Sequence, residues 1–451
     1  MSRAKNSGRV NHPVLWTLAI LVLAGALLAS YLVLRPGPIA FAKGTRVALD
    51  KYQAADPTGV PEELKSATLV ERGEYLAHAA DCLACHTSDD GIPLAGGRPF
   101  VLPFGTIYST NITPDSETGI GAYTDAEFLN ALHKGIGRGD RRLYPAMPYA
   151  SYTYMTDADA LAIKAYLFSL KPVHAPAREN TLMFPLNHRS LMSLWSAFFN
   201  PDRRYEPNSE RDAVWNRGAY LTEALGHCGE CHTPRNLVFA LNNRQKFAGA
   251  IQAGWRAYNI TPDQHSGIGA WSNEDLLQYF SSGHAAGRGT ASGPMGQAID
   301  DGLKFLRQSD LSAIVTYMRT VASVATEDLP DPRTSPAAPS FADLSIEPRG
   351  RTVYESACVG CHGWSGISSG IAAANLIGTR AVNDATATNV VQVVIHGGER
   401  QAPAGPLDMP AFGSTYSDAE IASVANYVTA RFGTRGSHVT AAEAAKLRTQ
   451  E

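Results

Sequence analysis

Cysteine is scarce in this sequence. The 451 residues contain six cysteines, and all six lie in three short motifs, CLACH at 82–86, CGECH at 228–232 and CVGCH at 358–362. No cysteine therefore remains for a structural disulfide or for a separate thiol site.

Other signatures are missing as well. The net charge is −3, and no cluster of basic residues follows the N-terminal segment, so the sequence gives no indication of nucleic-acid binding. It has no G-x-G-x-x-G opening a strand–helix unit, no P-loop and no G-x-S-x-G motif, which excludes the common dinucleotide, nucleotide and serine-hydrolase sites. The apolar fraction of 44% and the charged fraction of 18% are those of an ordinary globular protein.

The N-terminal segment differs from the rest. Residues 1–13 carry three basic residues and no acid, and residues 14–34 carry no charge. A bilayer core requires about 20 apolar residues, whereas a cleaved signal peptide has a shorter apolar core of about 7–15 residues. The sequence therefore predicts an uncleaved transmembrane anchor in the bacterial inner membrane, with the remaining chain in the periplasm. A cleaved signal peptide is the alternative.

The chain contains internal repeats, which must be recognised before the fold is assigned. The stretch RGEYLAHAADCLACHT (72–87) matches RGAYLTEALGHCGECHT (217–233), and more loosely RGRTVYESACVGCHG (349–363). Farther along, NITPDSETGIGAYTDAEFLNAL (111–132) matches NITPDQHSGIGAWSNEDLLQYF (259–280). Each repeat ends with a helical pattern, at 156–170, 309–321 and 417–428, that opens with Ser or Thr beside Asp as a helix cap.

The spacing C-x-x-C-H is typical of covalent c-type haem attachment. Cysteines three positions apart on a helical turn present both sulfurs to the vinyl groups on one porphyrin edge, and the next residue can bind the iron. Zinc would require four ligands close together, and a redox dithiol needs neither the histidine nor three copies. The sequence therefore predicts three covalently bound haem c groups. The predicted thioether cysteines and proximal ligands are Cys82, Cys85 and His86; Cys228, Cys231 and His232; and Cys358, Cys361 and His362.

The second axial ligand separates an electron carrier from an enzyme. A methionine opposite the histidine fills the iron coordination sphere and raises its potential, whereas an open position would indicate a peroxidase. The predicted ligands are the methionines that precede the closing helices, Met147, Met295 and Met409, with Met155 as an alternative in the first repeat. Bis-histidine coordination through His133, His284 and His396 is a further alternative, although these residues are also expected at helix ends.

These observations predict a mainly α fold with three cytochrome c-type domains in series after the N-terminal helix. The predicted segments are the tail and anchor (1–35), domain 1 (60–172), a connecting strap (173–209), domain 2 (210–325), a linker (326–342), domain 3 (343–433) and a C-terminal tail (434–451). The strap is rich in aromatic residues, which indicates a segment packed along the domains rather than a flexible tether.

The sequence resembles the triple-haem cytochrome c subunits of bacterial membrane-bound dehydrogenases for alcohol, gluconate, sorbitol, fructose and aldehyde. The resemblance depends on RGEYLAHAADCLACHT, LYPAMPYASYTYMTDAD, FPLNHRSLMSLW, WNRGAYLTEALGHCGECHTPRN and GIGAWSNEDL, and extends from about residue 65 to 432. Relatives commonly have a cleaved signal and attach to the membrane near the C-terminus, and the uncharged N-terminal segment departs from that pattern.

The resemblance implies an electron-transfer subunit without catalytic residues of its own. A separate dehydrogenase subunit would oxidise the substrate with flavin, pyrroloquinoline quinone or a molybdenum centre, and electrons would pass through the three haems to membrane ubiquinone. Alternatives are a cytochrome that feeds a terminal oxidase, a haem enzyme of the peroxidase type, and a stand-alone electron shuttle.

Overall fold

A computed structural model describes residues 12–34, 61, 64–88, 91–326, 329–335, 347–402 and 405–450. Within these residues the chain is mainly helical, and its strands form short two-stranded antiparallel hairpins. The prediction of a mainly α fold is confirmed.

The elements follow the repeats of the sequence. Helix α1 (His12–Leu34) precedes the first repeat. The first repeat comprises α2 (Leu69–Ala79), α3 (Cys82–His86), β1 (Pro99–Leu102), β2 (Gly105–Tyr108), α4 (Asp125–Lys134), β3 (Ile136–Gly137), β4 (Arg141–Arg142), α5 (Tyr149–Tyr152) and α6 (Asp157–Ser169). Helix α7 (Leu191–Phe199) connects it to the next repeat.

The second and third repeats have the same order of opening helix, motif helix and closing helix. The second comprises α8 (Ala213–Tyr220), α9 (Gly229–His232), β5 (Ala250–Gln252), β6 (Trp255–Ala257), α10 (Asn273–Ser282), β7 (His284–Ala285), β8 (Gly289–Thr290), α11 (Gly293–Gln297) and α12 (Gln308–Met318). The third comprises α13 (Pro348–Val353), α14 (Val359–His362), α15 (Thr388–His396), β9 (Gly398–Ala402), β10 (Gly405–Met409) and α16 (Asp418–Phe432), followed by α17 (Ala441–Arg448).

In each repeat the opening helix crosses the closing helix at a glycine. A Cβ atom at that glycine would lie 1.9 Å from a carbonyl oxygen of the closing helix, so only glycine allows the two backbones to approach this closely. The three glycines are Gly73, Gly218 and Gly350, and the facing carbonyls belong to Ala162, Ala313 and Ser423. The crossing fixes the end of the opening helix, from which the C-x-x-C-H motif continues.

The first and second repeats share one hydrophobic core, whereas the third has its own. At the shared junction the carboxylate of Asp159 accepts from Arg72 at 2.5 Å, within the first repeat, and from the hydroxyl of Tyr220, in the second, at 2.7 Å. The reciprocal contact in the second repeat joins Asp310 to Arg217 and to Tyr75 of the first repeat, both at 2.7 Å. Each repeat thus donates a tyrosine to the other's buried ion pair.

This exchange also explains where the closing helix of the second repeat begins. The sequence predicts a cap by the Ser309–Asp310 pair, but α12 begins at Gln308, and its N-cap residue Arg307 makes no side-chain cap. The backbone NH of Arg307 donates to the hydroxyl of Tyr75 at 3.1 Å. A side chain from the neighbouring repeat therefore satisfies a helix end that a local cap would otherwise satisfy.

The strap between the first two repeats lies against both. Its backbone extends the β1–β2 hairpin, since the NH of Thr181 donates to the carbonyl of Thr106 at 3.0 Å. Farther along, the indole NH of Trp195 on α7 donates to the carbonyl of Val238 in the second repeat at 2.9 Å. The strap is therefore held at both ends.

The predicted transmembrane anchor at residues 14–34 is wrong, and the predicted inner-membrane location with periplasmic haem domains falls with it. None of the helices in the described part of the chain combines the length and the apolar character that crossing a membrane requires. The basic flank at residues 1–11 and most of the predicted linker lie outside the described residues.

Candidate haem-binding sites

Each C-x-x-C-H motif lies on a short helical turn. In the first repeat α3 consists of the five motif residues, and in the second and third repeats the first cysteine immediately precedes the helix with φ and ψ in the right-handed region. Both cysteines of a motif are therefore on one turn, and all six are free thiols. This is the arrangement that the spacing predicts.

The three motif histidines make the same hydrogen bond. The Nδ1 atom lies 2.7 Å from the carbonyl oxygen of Thr110 for His86, and 2.6 Å from a carbonyl oxygen in each of the other two repeats. The other two pairs are His232 with Tyr258 and His362 with Ala374. A carbonyl only accepts, so Nδ1 carries the proton and the lone pair of Nε2 is left to bind a metal.

Burial lowers the pKa of all three histidines, which favours the neutral imidazole that coordinates iron. The hydrogen bond to the carbonyl acts in the opposite direction on each pKa and is the smaller effect. Burial therefore keeps each imidazole neutral, and the carbonyl fixes its tautomer, without any contribution from a cofactor.

An asparagine follows each of these carbonyl groups and holds it in position. In the first repeat the side chain of Asn111 accepts from the NH of Thr113 at 2.9 Å and donates to the carbonyl of Val173 at 2.7 Å. Asn259 makes the same two contacts in the second repeat, with Thr261 and Val324. Asn375 in the third repeat accepts from the NH of Ser368 at 2.8 Å.

The NITPD repeat is visible in the sequence, but its role is not. The structure shows that it ties the carbonyl acceptor of the motif histidine to the segment that follows the closing helix. The signal available in the sequence was the asparagine at a corresponding position in every repeat.

The surroundings of the thiols disfavour the two alternative uses of the motif. Burial raises the pKa of Cys82 and of Cys228 to about 12, and that of Cys231 and of Cys358 to about 11, whereas a redox dithiol requires a lowered pKa. Among the residues that the structure describes, no three His, Cys, Asp or Glu side chains are grouped closely enough to hold a metal ion such as zinc. Two cysteines and one imidazole nitrogen per motif fit covalent attachment of haem c.

All three candidate methionines are half-buried, and two of them pack against the edge of a hydrophobic core. Met147 precedes α5 and packs, half-buried, against the shared core, as does Cys82. Met409 ends β10 and packs against the core of the third repeat, as does Cys358. Met295 is half-buried on α11. By contrast, the side chain of Met155 is 0% exposed inside the shared core.

Polar groups lie near two of the histidines considered for bis-histidine coordination. The Nδ1 atom of His133 lies 3.7 Å from the carboxylate of Asp157, and burial, reinforced by the charge of Arg204, lowers its pKa. His284 makes a 2.9 Å contact from Nδ1 to the hydroxyl of Thr290. His396 is the last residue of α15. The choice of the methionines over these histidines stays a prediction.

The motif of the first repeat is linked to the second repeat through Arg98. The guanidinium of Arg98 donates to the carbonyl of Ala84, inside the motif, at 2.9 Å, and to the side-chain oxygen of Gln297 on α11 at 2.6 Å. The sequence gives no indication of this contact with α11. The candidate sites of these two repeats are therefore adjacent.

Two family models match separate parts of the chain. The model described as cytochrome c matches residues 70–171, and the model described as cytochrome c oxidase, cbb3-type, subunit III, matches residues 347–428. Both ranges contain one C-x-x-C-H motif with its opening and closing helices.

Similar proteins match over most of the chain. It is 38% identical to the fructose dehydrogenase cytochrome subunit of Gluconobacter japonicus, over 88% of this chain and 85% of that protein. The chain belongs to the family of dehydrogenase cytochrome c subunits. The gluconate 2-dehydrogenase cytochrome c subunit of Pantoea cypripedii is 35% identical, over 85% of this chain and 90% of its own. The cytochrome c subunit of the quinone alcohol dehydrogenase of Gluconacetobacter polyoxogenes is also 35% identical, over 84% of both.

Family membership bears on the predictions from the sequence. The resemblance is confirmed, and so is the prediction of an electron-transfer subunit rather than a catalytic chain. A cytochrome subunit of this kind carries covalently bound haem c.

Proposed function

We propose that this cytochrome subunit binds three haem c groups and passes electrons from a dehydrogenase catalytic subunit to ubiquinone. The haems are attached in three cytochrome c domains, which occupy residues 60–172, 210–325 and 343–433. The thioether bonds form at Cys82 and Cys85, Cys228 and Cys231, and Cys358 and Cys361. The residues that would hold the irons are His86 with Met147, His232 with Met295, and His362 with Met409.

One observation carries this proposal. All three motif histidines donate from Nδ1 to a backbone carbonyl at 2.6–2.7 Å, and an asparagine follows each carbonyl. This arrangement has a use only where the histidine binds a metal. The third repeat has it as well, although its sequence differs most from the other two. The repeated geometry therefore supports three haems rather than two.

When bound, haem c supplies a one-electron carrier that changes between Fe(II) and Fe(III). The chain's own residues orient the proximal imidazole through the carbonyl contact, exclude water through the hydrophobic cores, and offer half-buried methionine thioethers. A histidine and a methionine together would hold each iron and leave no open position for a substrate, which would distinguish this subunit from a peroxidase.

The names of the relatives support the choice of partner. Those proteins are cytochrome subunits of fructose, gluconate and alcohol dehydrogenases, and the alcohol enzymes are named as quinone enzymes. The catalytic partner of this chain is a dehydrogenase that uses flavin, pyrroloquinoline quinone or a molybdenum centre, and the electron acceptor is ubiquinone.

The match of residues 347–428 to an oxidase subunit supports a second candidate, in which the third domain delivers electrons to a terminal oxidase. The match covers one domain, whereas the dehydrogenase cytochromes match over most of the chain. The second candidate is therefore the weaker one.

The test uses the full chain produced together with its dehydrogenase. We expect three irons per polypeptide, low-spin spectra and a reduced α-band of covalently bound haem. Addition of a substrate of the dehydrogenase should reduce the haems, and a short-chain ubiquinone should reoxidise them. Two irons per polypeptide would refute the triple-haem proposal. Reoxidation by an oxidase preparation, but not by the ubiquinone, would favour the second candidate.

A further inference from the structure

Tyr258 makes hydrogen bonds to residues of two domains. Its backbone carbonyl accepts from Nδ1 of His232 at 2.6 Å, so it orients the proximal histidine of the second repeat. Its phenol hydroxyl donates to the carboxylate of Asp384, in the third repeat, at 3.2 Å. In the first repeat the corresponding residue is Thr110, whose side chain cannot extend this far. A tyrosine here links the histidine environment of one domain to a buried carboxylate of the next.

Asp384 is firmly held at its position. Its side chain is 0% exposed, and its carboxylate accepts from the guanidinium of Arg256 at 2.8 Å and from the NH of Thr386 at 2.9 Å. The backbone of Arg256 is in turn bonded in both directions to the side chain of Asn389, at 2.7 and 2.9 Å. Strand β6, which precedes Tyr258, is therefore hydrogen-bonded to the start of α15.

A second contact runs from the second repeat to the third. The hydroxyl of Thr290 donates to the carbonyl of Ala373 at 3.0 Å, and Ala373 precedes Ala374, the residue whose carbonyl orients His362. The backbones meet closely beside this contact, because a Cβ atom on Gly378 would lie 2.3 Å from the carbonyl oxygen of Gly287. Each proximal histidine is thus held by a segment that the other domain supports.

We infer that Tyr258 and Thr290 form a reciprocal hydrogen-bonded bridge that positions the proximal histidines of the second and third domains and carries the coupling for electron transfer between them. The inference rests on the proposed function, since it requires a haem in both domains. In the transfer step one iron is oxidised from Fe(II) to Fe(III) while the other is reduced from Fe(III) to Fe(II). No bond forms or breaks.

Tyr258→Phe removes the hydroxyl and keeps the ring. Without the hydroxyl the segment that presents the carbonyl to His232 loses its contact with Asp384, so the hydrogen bond from Nδ1 weakens. A weaker bond makes the imidazole a poorer donor to iron, and the potential of the second-domain haem should rise. Thr290→Val removes the other contact and should act on the third-domain haem.

The experiment uses the full haem-loaded chain and compares Tyr258→Phe, Thr290→Val and the double variant. The control is Tyr144→Phe, which also removes a buried hydroxyl but breaks a 2.9 Å bond to the carbonyl of Leu186 within the first repeat and strap. The measurements are iron content, the midpoint potential of each haem by spectroelectrochemistry, and the rate of interhaem electron equilibration after flash reduction.

We expect Tyr258→Phe to retain three irons, to raise one midpoint potential, and to slow equilibration between the second and third domains about tenfold, in the range typical of outer-shell partners of a metal ligand. The control should change neither the midpoint potentials nor the rate of equilibration. Potentials and rates in the double variant that match the unsubstituted chain would overturn the inference and leave the proposed function intact. Fewer than three irons in the unsubstituted chain would instead refute the proposed function.

Discussion

At the scale of single residues, the candidate sites depend on side chains that orient other groups. The motif histidines supply the metal-binding nitrogen, but a carbonyl fixes their tautomer and an asparagine fixes the carbonyl. Outer contacts of this kind tune the basicity of a metal ligand. A substitution at Asn111 or Asn259 should therefore affect the iron without touching it.

Met147→Ala tests the distal ligand of the first domain. Because Met147 lies half-buried at the edge of the shared core, its loss should turn one of the three haems high-spin, which electron paramagnetic resonance would detect. The control is Met155→Ala, which should cost about 2–5 kcal/mol of stability for an enclosed side chain and leave all haems low-spin. A high-spin signal in the Met155 variant, with none in the Met147 variant, would reverse the assignment.

The buried carboxyl of Glu223 should make the stability of the fold depend on pH. This carboxyl lies buried one turn before the second motif, paired with Lys246 and with the hydroxyl of Tyr317, and burial raises its pKa above the usual 4.5. The folded state then keeps a proton that the unfolded state releases, so this group favours folding below pH 4.5 and opposes it increasingly as the pH rises.

Glu223→Gln should remove this dependence and keep an acceptor for Tyr317. The free energy of unfolding of the variant, relative to that of the unsubstituted chain, should increase as the pH rises above 4.5. Denaturant titrations at several pH values measure this difference. A difference that stays constant with pH, or that decreases, would contradict the raised pKa.

At the scale of elements, the same helix crossing recurs three times. A Cβ atom at the glycine of the opening helix would meet a backbone carbonyl of the closing helix, and would also lie 2.9–3.0 Å from the Cβ of a tyrosine in that helix. This contact explains why a glycine occupies the corresponding position of all three opening helices. The repeats therefore specify one helix pair each, and the pair positions the motif.

Gly350→Ala tests the crossing in the third domain. The added Cβ would lie 1.9 Å from the carbonyl oxygen of Ser423, so the helices must separate, at a cost of about 1–3 kcal/mol or more. We expect a lower melting temperature and loss of haem from this domain, measured as iron per polypeptide. The matched control is Gly370→Ala, where the added Cβ has nothing within 4 Å. Equal iron content and melting temperature in both variants would argue against a tight crossing.

At the scale of the whole molecule, the three domains contact one another. The first and second share a core and exchange tyrosines across their junction, and the third is attached through polar contacts around Asp384. The first two domains should therefore unfold together, and the third separately.

Tyr75→Phe and Tyr220→Phe test this exchange. Each removes one donor from a buried carboxylate and one acceptor from a helix N-terminus, so each should cost about 1–3 kcal/mol. The control is Tyr354→Phe, whose hydroxyl donates to the carbonyl of Gly363 inside the third domain. In calorimetry the first two variants should shift the transition of the joined domains, and the control the other transition. A shift of both transitions by every variant would contradict separate units.

The sequence alone determined the number of motifs, their spacing, the repeats, the helical character and the family, because these depend on residues close together in the chain. It misjudged the N-terminal segment, where an uncharged run was read as a membrane span. It also placed the cap of α12 at Ser309, since the tyrosine that satisfies this helix end comes from another repeat.

Only the tertiary structure decided which carbonyl meets each histidine, which core the domains share, and where they touch. Tyr75 and Asp310 are 235 positions apart, and Tyr258 and Asp384 are 126 apart. No local periodicity brings such residues together, because their contact depends on how completed helix pairs pack against one another. Short motifs therefore determine the candidate haem-binding residues, whereas the packing of helix pairs determines the contacts between the sites.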